Sequence, residues 1–134
     1  MLFDPRESID FNGHTGPFIQ YTHARICSLQ RRAEDLITVA NPNSALHPKE
    51  KDLLKVLLRY PEAIQEAATD YSPAVLANYA YELVKEYNQF YQQVPIFGVA
   101  SEQDKAFRIG LSGLVGNTIA SAMKLLGITV PQRM

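Results

Sequence analysis

Tyr21, Arg25, Ser28 and Arg32 recur at i, i+4, i+7 and i+11, a spacing that sets one aromatic ring, two guanidinium groups and a hydroxyl in a row on a helix. Such a row can follow a single strand of RNA, with arginine on the phosphates and an unpaired base stacked on the ring. It can equally be a solvated face whose arginines pair with Glu34 and Asp35, and spacing alone leaves both readings open. Cys27 follows His23 by four residues, a thiol and a base within reach of each other on one helix. No third group is in view to orient the imidazole, so Cys27 reads better as a small residue beside a helix seam. The three histidines, His14, His23 and His47, stand far apart, and no metal site is expected from them. Gly110, Gly113 and Gly116 have the wrong spacing for a G-x-G-x-x-G phosphate loop, no strand precedes them, and Leu111, Leu114 and Val115 between them are core-like. They are read as interior to a helix, where each costs about 1 kcal/mol relative to alanine. Close approach of another helix or of a ligand is the gain that offsets such a cost.

The elements that must position these groups are helical. Thr15-Gly16-Pro17 puts proline in a first turn, and the run to Ala40 is apolar at Ile19, Ile26, Leu29, Ala33, Leu36 and Ala40 until Asn41-Pro42-Asn43 stops it. A second helix starts near Pro48, buries Leu53, Leu54, Leu57 and Leu58, and ends at Tyr60 before Pro61; a short third piece covers Glu62 to Thr69. Ser72-Pro73 opens a helix to about Gln93, with Leu76, Ala80, Leu83, Tyr87, Phe90 and Val94 three and four apart. Ser101-Glu102-Gln103-Asp104 has capping-box form, and the last helix carries Phe107, Leu111, Leu114, Ala122, Leu125 and Leu126 to a stop at Gly127. No segment alternates with period two for long, so the fold expected is an all-α bundle of four to five helices.

Five of the seven tyrosines, Tyr71, Tyr79, Tyr81, Tyr87 and Tyr91, fall close together, too many for one helix to bury on a single face. Those left at the surface suit a core rim, a protein contact face or a platform for unpaired bases. The 134 residues, 46% hydrophobic, suffice for one domain with a core. The net charge of −1 advertises neither nucleic acid nor an anionic membrane, so any RNA surface must be local. A single cysteine excludes an internal disulfide and fits a cytoplasmic setting, and no apolar stretch reaches the length of a membrane span. Residues 1 to 16 carry short apolar pieces broken by Pro5 and Gly13 and read as a linker from a preceding body, with residues 17 to 134 as the helical domain. The terminal Ile128-Thr129-Val130-Pro131-Gln132-Arg133-Met134 is too apolar to fray and reads as an end docked on something.

Gly16-Pro17-Phe18-Ile19-Gln20-Tyr21-Thr22-His23-Ala24-Arg25, Leu58-Arg59-Tyr60-Pro61, Ser72-Pro73 with Tyr79-Ala80-Tyr81-Glu82-Leu83, Asn88-Gln89-Phe90-Tyr91 and the terminal Leu126 to Met134 occur in an order and spacing that resemble the C-terminal part of arginyl-tRNA synthetases. The resemblance covers essentially the whole chain, and it implies the helical anticodon-binding domain of a class Ia synthetase. It implies an arginine tRNA as partner through its anticodon loop, contact with an upstream catalytic domain, and ATP with magnesium as cofactors of the parent enzyme. An H-I-G-H-type signature and a K-M-S-K-type loop, the marks of that catalytic domain, do not occur in this sequence. No catalytic residue and no cofactor are therefore expected in this fragment. The site residues that the resemblance implies are Tyr21, stacking on a loop base; Arg25 and Ser28, on backbone or base; Tyr91, beside the pocket; and the chain end at Met134, as acceptor for a cytosine amino group. The alternative from another class is a protein-interaction module that uses the tyrosine-rich helix as its contact face.

Overall fold

The computed structural model describes residues 15–33, 45–98 and 101–127, and among them every regular element is an α-helix. They are α1 (Thr15–Arg32), α2 (Pro48–Leu58), α3 (Tyr60–Thr69), α4 (Pro73–Gln93) and α5 (Glu102–Leu125). Residues 34 to 40 of the expected first helix, and the terminal stretch from Ile128, lie outside the described residues.

α4 is the central helix and packs on α1, α2, α3 and α5. All six positions read from its sequence, Leu76 to Val94, are buried. It also carries polar atoms inward, and each finds a partner on a different helix. Tyr79 Oη donates to Val56 O of α2 at 2.7 Å. Tyr87 Oη donates to Ser112 Oγ of α5 at 3.0 Å, and Asn88 Nδ2 donates to Thr22 Oγ1 of α1 at 2.9 Å.

The boundary between α2 and α3 differs from expectation. Pro61 has no N–H, and its ring would clash with the carbonyl four residues back, so the chain turns at Arg59 and Tyr60 becomes the first residue of a separate helix. The turn leaves Leu58 76% exposed and Leu54 only half-buried, while Leu53, Val56 and Leu57 enter the core. Leu58 stands five residues after Leu53, about 140° round the helix, and so cannot share its face. At the other end of α2, His47 is the N-cap: its Nδ1 accepts from Lys49 N–H at 3.0 Å, and its own N–H donates to Glu50 Oε1 at 2.8 Å. Buried Glu50 also pairs through Oε2 with Arg108 Nε at 3.3 Å, and Arg108 Nη1 donates to Pro95 O at 2.6 Å. One ion pair thus fixes the start of α2, the body of α5 and the α4–α5 connection.

α5 departs from the leucine-based reading. Leu111 and Ala122 are buried as expected, but Leu114 and Leu125 are exposed, at 50% and 60%. The face turned inward is Ile109, Ser112, Gly116, Ile119 and Met123, at steps of three and four. Its phase follows the glycines. A Cβ on Gly116 would stand 2.9 Å from Ile26 Cγ2, and one on Gly113 3.2 Å from Gln30 Nε2, while Gln30 Nε2 donates to Ile109 O at 2.8 Å. The cost of these two helix-interior glycines is offset by the approach of α1. Ser101 caps α5 by accepting from Asp104 N–H at 3.2 Å, and Gly127 follows it at φ 79 in the left-handed region, as the stop signal implied.

Two outcomes follow from this packing. Gly116→Leu should lower stability by about 2 kcal/mol through overpacking against fully buried Ile26, read as a lower midpoint in urea with an unchanged m-value; an unaltered midpoint would refute the close α1–α5 contact. Burial pushes the hydroxyls of Tyr79 and Tyr87 up from 10.0 to about 12. A pKa raised in the folded state contributes stability that is complete below the unfolded value of about 10 and is lost as pH rises through the folded value. The helical circular dichroism signal should therefore fall between about pH 10 and 12 together with the rise of tyrosinate absorbance. The double variant Tyr79→Phe, Tyr87→Phe should carry that limb to higher pH, and an unmoved limb would count against these two groups as its cause.

Candidate functional site

α1 from Ile19 onward and the last turns of α4 run side by side because Ile19, Thr22 and Ile26 face inward and Asn88 reaches across. On the solvent side of this seam lies a groove of about 530 Å³. Tyr21, Arg25, Ser28 and Arg32 form one wall, Tyr91 faces them from α4, Phe97 closes one end from the α4–α5 connection, and Ala24, Leu29 and Arg31 complete the lining. The row read from the sequence is thus assembled on one surface, and Tyr91 joins it. Glu34, Asp35 and Met134 lie outside the described residues.

Arg25 is the centre of the groove. Its guanidinium carbon stands 5.1 Å from the ring centroid of Tyr21 and 4.6 Å from that of Tyr91, both within the range of cation–π attraction. Nη1 donates to Asn88 Oδ1 at 2.8 Å and Nη2 to Tyr21 Oη at 3.3 Å. Tyr21 keeps half of its surface exposed and Tyr91 39%, so both rings bracket the cation and still offer area to a ligand. Tyr91 rests on buried Tyr87, with ring centroids 6.2 Å apart. At the far end Arg32 lies over Phe97, guanidinium carbon to centroid 4.0 Å. Ser28 is exposed on the wall between the two arginines. Three arginines and no carboxylate line the groove among the described residues, which makes it locally basic in a chain of net charge −1.

Sequence reasoning missed Phe97 and Arg31 in the lining, and Asn88 as the partner of Arg25. Asparagine in the middle of a helix is a weak signal by itself, because it is a poor helix former that needs partners for its amide. Phe97, an aromatic in a short connection after Pro95, gave no periodicity to read.

The remaining candidates are structural. His23 Nδ1 and Cys27 Sγ stand 3.8 Å apart, and burial pushes the Cys27 thiol up despite the opposing charge of Arg31, the reverse of what an attacking thiolate needs. Among the described residues no group of three or more His, Cys, Asp or Glu side chains could hold a metal ion, and no helix is long and apolar enough to cross a membrane. The tyrosines of α4 do not share a contact face: Tyr79 and Tyr87 are buried, Tyr81 is half-buried and edge-on to Phe18 at 6.0 Å, and Tyr91 belongs to the groove.

The chain is similar to known proteins over its whole length. An arginine–tRNA ligase of Flavobacterium psychrophilum is 57% identical over all of this chain, and one of Bacteroides thetaiotaomicron is 49% identical, again over the whole chain. The chain spans only 22% and 23% of the lengths of these relatives. Among solved structures, the Thermus thermophilus arginyl-tRNA synthetase superposes with a TM-score of 0.81 at 33% identity, covering 98% of this chain and 23% of that one. The family model for the DALR anticodon binding domain matches residues 19–134, from the first core residue of α1 to the end of the sequence, and on that match the chain belongs to the DALR anticodon-binding domain family.

Proposed function

We propose that this chain holds the anticodon loop of an arginine tRNA in the α1–α4 groove, as the C-terminal part of an arginine–tRNA ligase. The observation that carries the reading is the guanidinium of Arg25 slotted between two half-exposed tyrosine rings in a basic, carboxylate-free lining. Rings of this kind stack on unpaired bases, and a fixed guanidinium supplies donors to phosphate or to a base edge.

The genetic code sets what such a groove must read. All six arginine codons share only their middle G, so the middle anticodon base, cytosine, is common to every arginine tRNA. The groove captures that base and tolerates its neighbours. Tyr21 and Tyr91 supply stacking area, Arg25 and Ser28 supply polar contacts, and the end of the chain at Met134 supplies an acceptor for the cytosine amino group. Arg31, Arg32 and Phe97 extend the surface toward the adjacent nucleotides. Joining of arginine to tRNA at the expense of ATP, with magnesium, belongs in this reading to a catalytic domain upstream, against which the helical domain packs.

The 134-residue chain should bind an arginine anticodon stem-loop more tightly than the same loop with its middle cytosine replaced, as read by fluorescence anisotropy. Three arginines at about 0.7 each give a slope of roughly −2 for log affinity against log salt. Tyr21→Ala should weaken binding about tenfold, the worth of one base–ring stack, with its helical circular dichroism unchanged. Identical titrations for the matched and replaced loops would defeat base reading, and salt-independent binding would favour a protein-interaction module instead.

A further inference from the structure

Asn88 is used at both ends of its carboxamide. Nδ2 donates to Thr22 Oγ1 at 2.9 Å and to Val84 O at 2.9 Å, and Oδ1 accepts from Arg25 Nη1 at 2.8 Å. The orientation of the amide is not interchangeable. Val84 O can only accept and the guanidinium can only donate, so a flipped amide would set two oxygens against each other and two donors against each other. Thr22 is fully buried, which fixes the amide from a point that solvent does not reach. The oxygen is therefore aimed at Arg25.

We infer that Asn88 is a positioning residue of the groove: anchored by Thr22 and Val84, it clamps the Arg25 guanidinium in the slot between Tyr21 and Tyr91. The bonds to Asn88 and Tyr21 engage Nη1 and Nη2, and a guanidinium offers five N–H donors in one plane, so the clamp sets the direction of those that remain for a ligand. An arginine held in this way is ordered before the ligand arrives, which lowers the entropy lost on binding. The ligand half of the inference rests on the anticodon-loop reading; the clamp itself does not.

The test uses the 134-residue chain with and without an arginine anticodon stem-loop. In the unliganded chain the Arg25 Nη–H resonances should be resolved by slowed rotation, and Asn88→Ala should average them while thermal unfolding still shows one cooperative transition. Thr22→Val removes one of the two anchors of Asn88 with little change of shape and should speed the averaging without touching the contact to Arg25, which also provides a second reading should the alanine variant prove unstable. With the stem-loop, Asn88→Ala should lower affinity about tenfold, as the loss of one hydrogen bond to a charged group implies, and should lower it no further in an Arg25→Ala background. Resolved resonances in Asn88→Ala, resonances in Thr22→Val unchanged from those of the unaltered chain, or an equal loss of affinity in both backgrounds would overturn the clamp. A chain whose resonances respond as expected, but whose Arg25→Ala variant binds the loop undiminished, would uphold the clamp and overturn the anticodon reading.

Discussion

A helix packed on four others cannot keep its polar groups in water, and α4 brings two phenolic hydroxyls and a carboxamide into the packed region. Each unpaired would cost about 1–3 kcal/mol. The bundle satisfies them one helix at a time: Tyr79 through the Val56 carbonyl of α2, Tyr87 through Ser112 of α5, Asn88 through Thr22 of α1. Apolar contacts alone would tolerate a slide or rotation of these helices, because leucine and isoleucine surfaces repack at modest cost. Directional bonds do not, so the three partners set the register of the neighbouring helices against α4.

The groove inherits that register. Its walls belong to α1 and α4, and the bond that aligns them, Asn88 to Thr22, involves the same side chain that accepts from Arg25. α1 is held from its other side by α5, where Gly116 admits Ile26 and Gln30 reaches the Ile109 carbonyl. The buried Glu50–Arg108 pair extends the same order to the connection that carries Phe97, since Arg108 also holds the Pro95 carbonyl. Such a pair is weak evidence for net stability, because desolvation consumes much of its Coulomb energy. Its value here is geometric: it fixes where the α4–α5 connection leaves the bundle, and so where the groove closes.

Most of this was legible wherever apolar periodicity and turn chemistry agreed. α4 was readable end to end because Ser72-Pro73 opens it, Pro95 closes it and its core positions keep steps of three and four. α1 presented its site row for the same reason, as four residues on one helical face. In α5 Leu111 and Ala122 are buried and Phe107 and Leu126 pack against the core, but Leu114 and Leu125 face solvent, because the face turned to α1 is built from isoleucine, serine and glycine that let α1 approach. Leu58 shows a related limit: it stands about 140° round α2 from Leu53, so counting leucines places it in the core where helical phase does not. Asn88 and Phe97 joined the groove through tertiary contacts 66 residues away in sequence for the Asn88–Thr22 bond, or by stacking under an arginine from α1. Neither leaves a local pattern.

A net charge of −1 does not draw RNA from a distance, and in the proposed reading the groove asks something different of charge. Diffuse positive charge draws a polyanion from a distance but does not choose among bases. A guanidinium bracketed by two rings adds selectivity at contact range, with stacking energy and directed donors concentrated on one or two nucleotides. Specificity of that kind needs a rigid surround more than a large field. It also tolerates acidic residues elsewhere on the bundle, such as Glu82, which pairs with Arg59 well away from the groove lining. In the proposed setting the two demands separate: long-range attraction falls to the rest of a much longer protein, and this domain contributes the choice of base.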